Sequence, residues 1–322
     1  MSVNKVMSFV KKPVKRVEEL LLTSFSSDIE VVNKLVSQTI SAGGKRIRPV
    51  FHILVAGMCG YQGEYAERIS VILEYVHTSS LLHDDVIDNA TVRRGKPSAN
   101  VIYNNRVTVL SGDYLYTSAF LSILDLPDRE HSRVLTKAVA AMSEGELLQM
   151  QKTGDLGLSM DDYKRIIYGK TAALFSAACE CGALLGKASP IQQQKMRDYG
   201  RNIGYVFQMK DDLLDYFGSE KEIGKKPGTD LMEKKVTLPI LLLLKKLDKA
   251  EKKEFSKLFL DESADNFDKI LTMLKKHNID AEATAILQDY IDKALESLDA
   301  FDDSEYKRSI IILTEELSDR IS

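Results

Sequence analysis

Apolar residues recur at intervals of three and four along five long stretches of the chain, residues 71–86, 107–126, 134–150, 163–185 and 192–216. That spacing is the helical repeat, and it places one apolar face on each stretch. No stretch alternates convincingly enough to read as a strand. The punctuation agrees with helices: Pro49 opens one, Ser189-Pro190 supplies a cap and a first turn, and Gly154, Gly186 and Gly218 stand where others stop. At ordinary helix lengths the pattern predicts on the order of ten or more helices. From Lys246 onward the chain is charge-rich, with amphipathic segments at 267–277 and 281–298, and its charges read as solvated outer faces. Long linkers and low-complexity segments are absent. The expectation is one all-α domain over residues 1–322, with chemistry in about 43–239 and further helices in 246–322.

Composition narrows the class. The 322 residues are 44% hydrophobic and carry 44 basic against 47 acidic side chains, a net charge of -3. A large core is within reach. The balance gives no basic arm or stripe, so nucleic acid is not expected as a partner. Residues 1–22 hold Lys11, Lys12, Lys15 and Arg16 among scattered apolar positions, without the apolar stretch of a secretory signal. The longest apolar run, 238–244, is far short of the ~20 residues that cross a bilayer, so no stable membrane insertion is expected and the cytoplasm is the expected location. Cys59, Cys179 and Cys181 include one lone C-x-C, which indicates neither a disulfide framework nor a zinc site; they read as small core residues.

The candidate chemistry lies in a repeated acidic pattern. Asp84-Asp85-x-x-Asp88 and Asp211-Asp212-x-x-Asp215 each end an apolar helical run. On a helix the first and fifth positions are only ~40° apart and roughly 6 Å apart along the axis, so Asp84 and Asp88 share a face, as do Asp211 and Asp215. If the two helices face one another, six carboxylates converge, which demands protonation or multivalent cations. Carboxylates without soft ligands suit Mg²⁺, which completes its shell with water and phosphate oxygens. A single such cluster reads as well as a solvated helix end; two, each followed by cations, point to a metal and a polyphosphate.

Cations answer the aspartates. Gly43-Gly44-Lys45-Arg46-Ile47-Arg48-Pro49 sets three of them behind a glycine pair, and Arg48 has the planar fork that grips phosphate. The bland alternative is a helix stop with surface charges. Arg93-Arg94-Gly95 follows Asp88 closely enough to curl over a bound phosphate. His77 lies seven residues before Asp84 on nearly the same face, and reads equally as a site residue or a structural histidine. His83 points about 100° away and reads as packing. Lys170-Thr171 interrupts a helical run, and Lys225 and Lys235 flank the stretch after the second cluster; taken singly each lysine reads as a surface group.

These segments together resemble the trans-type polyprenyl diphosphate synthases, long-chain members above all. The resemblance runs from about 43 to 239 and rests on Gly-Gly-Lys-Arg-Ile-Arg-Pro, on 77–95, on Gly169-Lys170-Thr171, on Phe-Gln-x-x-Asp-Asp-x-x-Asp at 207–215 and on Asp-Leu-x-Glu-x-Lys-x-Thr-Leu-Pro at 230–239. It implies the isoprenoid synthase fold, helices around a deep central cavity, in a homodimer. It implies that Lys45, Arg48, His77 and Arg94 hold isopentenyl diphosphate. Asp84, Asp88 and Asp211, assisted by Asp85, Asp212 and Asp215, would bind Mg²⁺, three ions with the bound diphosphate. Arg93, Lys170, Thr171, Gln208, Lys225 and Lys235 would complete the site for the allylic diphosphate, with farnesyl diphosphate as the expected primer.

Ser79 and Ser80, one turn before the first cluster, are small where a bulky aromatic would block a growing hydrocarbon, which under this resemblance favours a long product. The alternative is that small residues let helices pack closely. Lys210, Lys234 and Thr229 depart from the family pattern, and Lys210 would weaken metal binding if it pointed inward. Competing readings are a shorter-chain geranylgeranyl synthase, a terpene cyclase or head-to-head synthase, and a non-catalytic subunit. The intact glycine–arginine segments and both complete clusters stand against the last two.

Overall fold

Every apolar stripe becomes helical. In chain order the elements are α1 (Val3–Phe9), α2 (Lys11–Thr23), α3 (Glu30–Ser41), α4 (Ile47–Met58), α5 (Tyr65–Ile87), strands β1 (Val92–Arg93) and β2 (Lys96–Pro97), α6 (Ala99–Tyr103), α7 (Asn105–Leu124) and α8 (Glu130–Lys152). There follow α9 (Met160–Ile167), α10 (Ala173–Leu185), α11 (Pro190–Phe217), α12 (Thr229–Met232), α13 (Leu238–Lys246), α14 (Lys249–Leu260), α15 (Asn266–Lys276), α16 (Ile279–Ser297) and α17 (Glu305–Asp319). The computed structural model describes residues 3–126, 128–219, 227–261 and 266–319. Its contacts group into two units. One draws on Met1–Val139, Ser176–Arg197 and Leu298–Leu313, the other on Ala140–Phe175, Asp198–Ser297 and Thr314–Ser322.

In the first unit α5 is central, packed against α2, α4 and α7. Its buried stripe of Ile69, Ile72, Leu73, Val76, Ser79 and Leu82 follows the helical repeat. Ser79 is fully buried and its hydroxyl donates to the Gly112 carbonyl of α7 at 2.6 Å. A methyl group on Gly112 would come within 2.5 Å of His83 Nε2, so glycine there is what lets α5 and α7 approach. His83 itself turns to α7, 3.2 Å from the Val109 carbonyl and 3.2 Å from Asp113. Among the described residues α7 is the one helix long and apolar enough to cross a membrane by length and hydropathy. Here it is a packed helix, and its outer side exposes Leu110, Tyr114, Leu121 and Leu124.

The strands are a correction to the sequence reading. They form a two-residue antiparallel hairpin, Val92 opposite Pro97 and Arg93 opposite Lys96. Its tip is Arg94-Gly95, both at positive φ (52° and 73°), the backbone that a tight two-residue turn requires. Strands this short have no period to display.

The second unit has its own apolar core, built from Tyr163, Ile166 and Ile167 of α9, Met209, Leu213 and Tyr216 of α11, the run Leu238–Leu243, and Phe255, Phe259, Ile270, Leu274 and Leu287. Between α9 and α10 the helix widens into a π turn, Tyr168–Ala172. A methyl group on Gly169 would lie 2.4 Å from the Ala141 carbonyl and 2.6 Å from Gly145 Cα, so two glycines let the π turn and α8 touch backbone to backbone.

The two unusual lysines are occupied away from the acidic cluster. Lys210 is buried and its ammonium donates to the Leu317 carbonyl in the last turn of α17 at 2.6 Å. Lys234 donates to the carbonyls of Phe259 and Asp261 at the end of α14, at 2.8 and 2.7 Å. Both put positive charge at a helix C-terminus, where the macrodipole favours it.

Candidate active site

The first acidic cluster occupies the last turn of α5. The helix stops in a Schellman arrangement: Asn89 takes the left-handed conformation (φ 49°), Ala90 N–H donates to the Asp85 carbonyl at 2.9 Å and Asn89 N–H to the Val86 carbonyl at 3.3 Å. Carboxylates at this negative end of a helix are disfavoured, so the cluster is placed where cations stabilise it most. Asp85 is buried and held by Arg93, whose Nε and Nη2 reach its Oδ1 at 2.7 and 2.6 Å. Asp84 is half-buried and Asp88 exposed. Tyr116 of α7, which no spacing argument singles out, feels the charges of Asp84 and Asp113; these and, above all, burial push its phenol upward.

A basic group lies in the same unit. Arg46 starts α4 in the left-handed conformation (φ 48°) and is buried, with Nη1 on Glu74 at 2.8 Å and Nη2 on the Ile40 carbonyl at 3.1 Å. It is therefore a lock for the Gly43-Gly44 turn. Arg48 is buried in the first turn of the helix, while Lys45 is exposed. A Cβ on Gly44 would lie 3.3 Å from one guanidinium nitrogen of Arg94 and 3.4 Å from one of Arg46, so the glycine turn and the hairpin tip meet. His77 sits among these groups. Burial first, then the guanidinium charges of Arg48, Arg94, Arg46 and Arg93, hold its imidazole well below the ordinary histidine range. The histidine aligned with Asp84 is thus a neutral imidazole within an arginine cluster. Ser80 donates back to the His77 carbonyl at 2.8 Å.

In the second unit Asp211, Asp212 and Asp215 lie in the last two turns of α11, again at the negative end of the helix. Asp211 is exposed; Asp212 and Asp215 are buried. Tyr163 donates to Asp212 Oδ2 at 2.6 Å, Gln208 donates to Oδ1 at 2.9 Å, and Thr171 donates to Gln208 Oε1 at 2.6 Å. Burial raises Asp212, and the hydrogen bonds from Tyr163 and Gln208 act against it. Asp215 accepts from the Asp230 backbone N–H at 2.8 Å, fixing the chain that follows the cluster. The π turn is what carries Lys170 and Thr171, and Lys170 Nζ stands 3.9 Å from Glu146. A pocket here is lined by Lys152, Lys170, Lys235, Gln208, Asp212 and Asp230 among others. It gathers four residues that the sequence assigned to the site, a fifth, Asp230, that the sequence offered only as the start of the 230–239 motif, and Lys152, which it did not single out. Lys225 lies outside the described residues.

The donor chemistry fits a hard divalent cation. Asp85, Asp212 and Asp215 are engaged by protein donors through their side-chain oxygens, while Asp84, Asp88 and Asp211 are the more exposed carboxylates of the two clusters. Among the described residues no three His, Cys, Asp or Glu side chains close around one point. A cation held at either cluster would take further ligands from water or a bound phosphate, as magnesium does.

A family model described as Polyprenyl synthetase matches residues 29–276. Over 241 residues the chain is 39% identical to octaprenyl diphosphate synthase of Escherichia coli (strain K12), covering 75% of each protein. It superimposes on a decaprenyl diphosphate synthase from Rhodobacter capsulatus with a TM-score of 0.94 at 33% identity over 99% of both chains. A polyprenyl synthase from Caulobacter crescentus CB15, solved with calcium and isoprenyl diphosphate, gives 0.93 at 31% identity over 100% of this chain and 98% of that one. With the all-α isoprenoid synthase fold of these neighbours and a family match over most of its length, the chain belongs to the polyprenyl synthetase family and is a prenyltransferase.

Proposed function

We propose that the chain condenses isopentenyl diphosphate head to tail with an allylic diphosphate, repeatedly, to make a long-chain all-trans polyprenyl diphosphate. The observation that carries this reading is the pair of intact acidic clusters, each at a helix C-terminus, together with a neutral histidine inside an arginine cluster. Octaprenyl and decaprenyl diphosphate synthases among its relatives support the long product.

Lys45, Arg48, His77 and Arg94 bind the diphosphate of isopentenyl diphosphate. Asp84 and Asp88 of the first cluster and Asp211 of the second would be the ligands for the Mg²⁺ that accompanies the allylic diphosphate, and the calcium-bound neighbour supports a divalent ion in that role. Mg²⁺ held by these residues would supply positive charge to offset that of the diphosphate leaving group. Lys170, Lys235, Thr171 and Gln208 address the same leaving group. Arg93 acts through Asp85, which it holds in place. Breaking the allylic C–O bond releases diphosphate and leaves a delocalised cation. The isopentenyl double bond supplies the electron pair for the new C–C bond, and the proton lost from the resulting cation passes to the released diphosphate. No protein nucleophile is required. Ser80 borders the elongating chain, while Ser79 serves the α5–α7 contact.

A homodimer is part of the proposal, supported by the exposed apolar side of α7, which is larger than scattered surface leucines explain. Ionic, water-soluble substrates support a cytoplasmic site of action. The test is Mg²⁺-dependent incorporation of labelled isopentenyl diphosphate from a farnesyl diphosphate primer, with product length read by mass spectrometry. A ladder ending in one long polyprenyl diphosphate, absent in Asp84→Ala, is expected. Termination at geranylgeranyl diphosphate would move the chain to the shorter-chain reading, and no elongation from any primer would reassign it as a silent subunit.

A further inference from the structure

Five of the chain's 44 basic side chains, and none of its 47 acidic ones, fall in the first 17 positions, although the whole chain is net negative. The structure puts these five on one outer surface. Val6 and Val10, then Val17 and Leu21, are buried against the first unit, and Phe9 packs on Tyr306 with ring centroids 5.0 Å apart. This anchoring sets which side of α1 and α2 faces out. At about 100° per residue, Lys11, Lys12, Lys15 and Arg16 span ~140° of the α2 wheel, opposite the Val17–Leu21 stripe. All four, and Lys5 on α1, are exposed. Among the described residues only Arg16 of the five has a carboxylate partner, Glu19 at 3.2 Å. Met7 and Leu22 add exposed apolar surface, 38% and 51% accessible, at either end of the patch.

Lysines held unpaired on a packed helical scaffold keep their field directed outward. Exposed Glu18 and Glu19 follow on the same helix, so α1 and α2 together carry five cations against two carboxylates, a net charge of +3 on a chain that is net negative. That excess, with close spacing and flanking apolar side chains, matches the surface of a bilayer rich in anionic phospholipid. There, basic side chains and shallowly inserted apolar groups act together. We infer that α1 and α2 form a docking surface for an anionic phospholipid membrane. Binding is peripheral: no helix inserts. The proposed reaction gives the surface a use, because each added methylene makes the product tail less soluble in water and delivery to lipid more favourable. The step that consumes such a product is then one at the membrane, acting on a lipid-dissolved diphosphate. The inference goes beyond the proposed function, and its test needs no turnover.

The full-length protein is mixed with vesicles of phosphatidylcholine alone or with about one-third phosphatidylglycerol, and the bound fraction is measured by co-sedimentation. Binding is expected only to the anionic vesicles, and to be lost between roughly 0.1 and 1 M salt as the Debye length shrinks. Each basic side chain contributes roughly fivefold, so Lys11→Gln, Lys12→Gln, Lys15→Gln and Arg16→Gln together should lower partition by well over tenfold. Circular dichroism and elongation in the absence of lipid should stay as in the parent. Equal binding to neutral vesicles, undiminished binding by the quadruple variant, or no vesicle binding beside tight binding to an RNA homopolymer would each overturn the inference. Since binding is read without substrate, failure to elongate and failure to bind lipid are separable results.

Discussion

Tyr163 is the side chain on which the second acidic cluster most directly rests. Its phenol is fully buried and donates to a buried carboxylate from a position 49 residues away in sequence. Removing that donor leaves an oxygen of Asp212 under-satisfied at a cost of about 1–3 kcal/mol. Tyr163→Phe should lower the single-turnover elongation rate by about tenfold and unfold a few degrees earlier in a thermal melt; an unaltered rate would remove Tyr163 from the site. His52 tests the electrostatics of the first unit separately. It is fully buried, its Nδ1 donates to the Ala178 carbonyl at 2.9 Å, and burial pulls its pKa down to about 4. Between pH 6.5 and 4 the unfolded chain therefore binds a proton that the folded chain refuses, and stability falls as pH falls through that window. His52→Asn, which keeps an N–H donor, should flatten this part of the curve of unfolding free energy against pH, measured by urea denaturation.

At the scale of elements, Lys210 separates two readings of one substitution. If its ammonium faced the metal site, neutralising it would tighten Mg²⁺ binding. Because it faces the last turn of α17, Lys210→Met should leave the Mg²⁺ dependence of elongation unchanged and destabilise the fold by about 1–2 kcal/mol through loss of the helix cap. A titration of activity against Mg²⁺, beside a denaturation curve, checks both halves. The long helices were legible because burial imposes a period on sequence, and the acidic clusters because a turn of helix spaces them. The hairpin at Arg94-Gly95 was not legible, since two-residue strands carry no period. The π turn was visible only as an interruption at Lys170-Thr171: hydrogen-bond slippage leaves the local composition unchanged. Tyr116 and Lys152 join the sites through contacts between distant segments, and pairwise contacts of that kind leave no spacing to read.

For the whole molecule, the exposed side of α7 is the feature that single-chain packing does not account for. Leu110, Tyr114, Leu121 and Leu124 fall on positions that a helix brings to one side. Burying such a stripe across a two-fold axis would give each copy the same contact. Leu121→Glu combined with Leu124→Glu should convert a dimer to monomer in analytical ultracentrifugation, with helix content by circular dichroism preserved. A parent protein that already sediments as a monomer would end the homodimer proposal.

The neutral imidazole of His77 has a further consequence, one of pH response. Because guanidinium groups stay protonated throughout the physiological range and this histidine is kept from joining them, the positive charge offered to an incoming anion is constant from about pH 8 to 6. An anion site built on a titrating histidine would tighten in mild acid by up to about tenfold. Here the dissociation constant of isopentenyl diphosphate, corrected for the ligand's own ionisation, should stay flat over that interval, so that a cell whose interior acidifies would keep the same hold on its five-carbon building block.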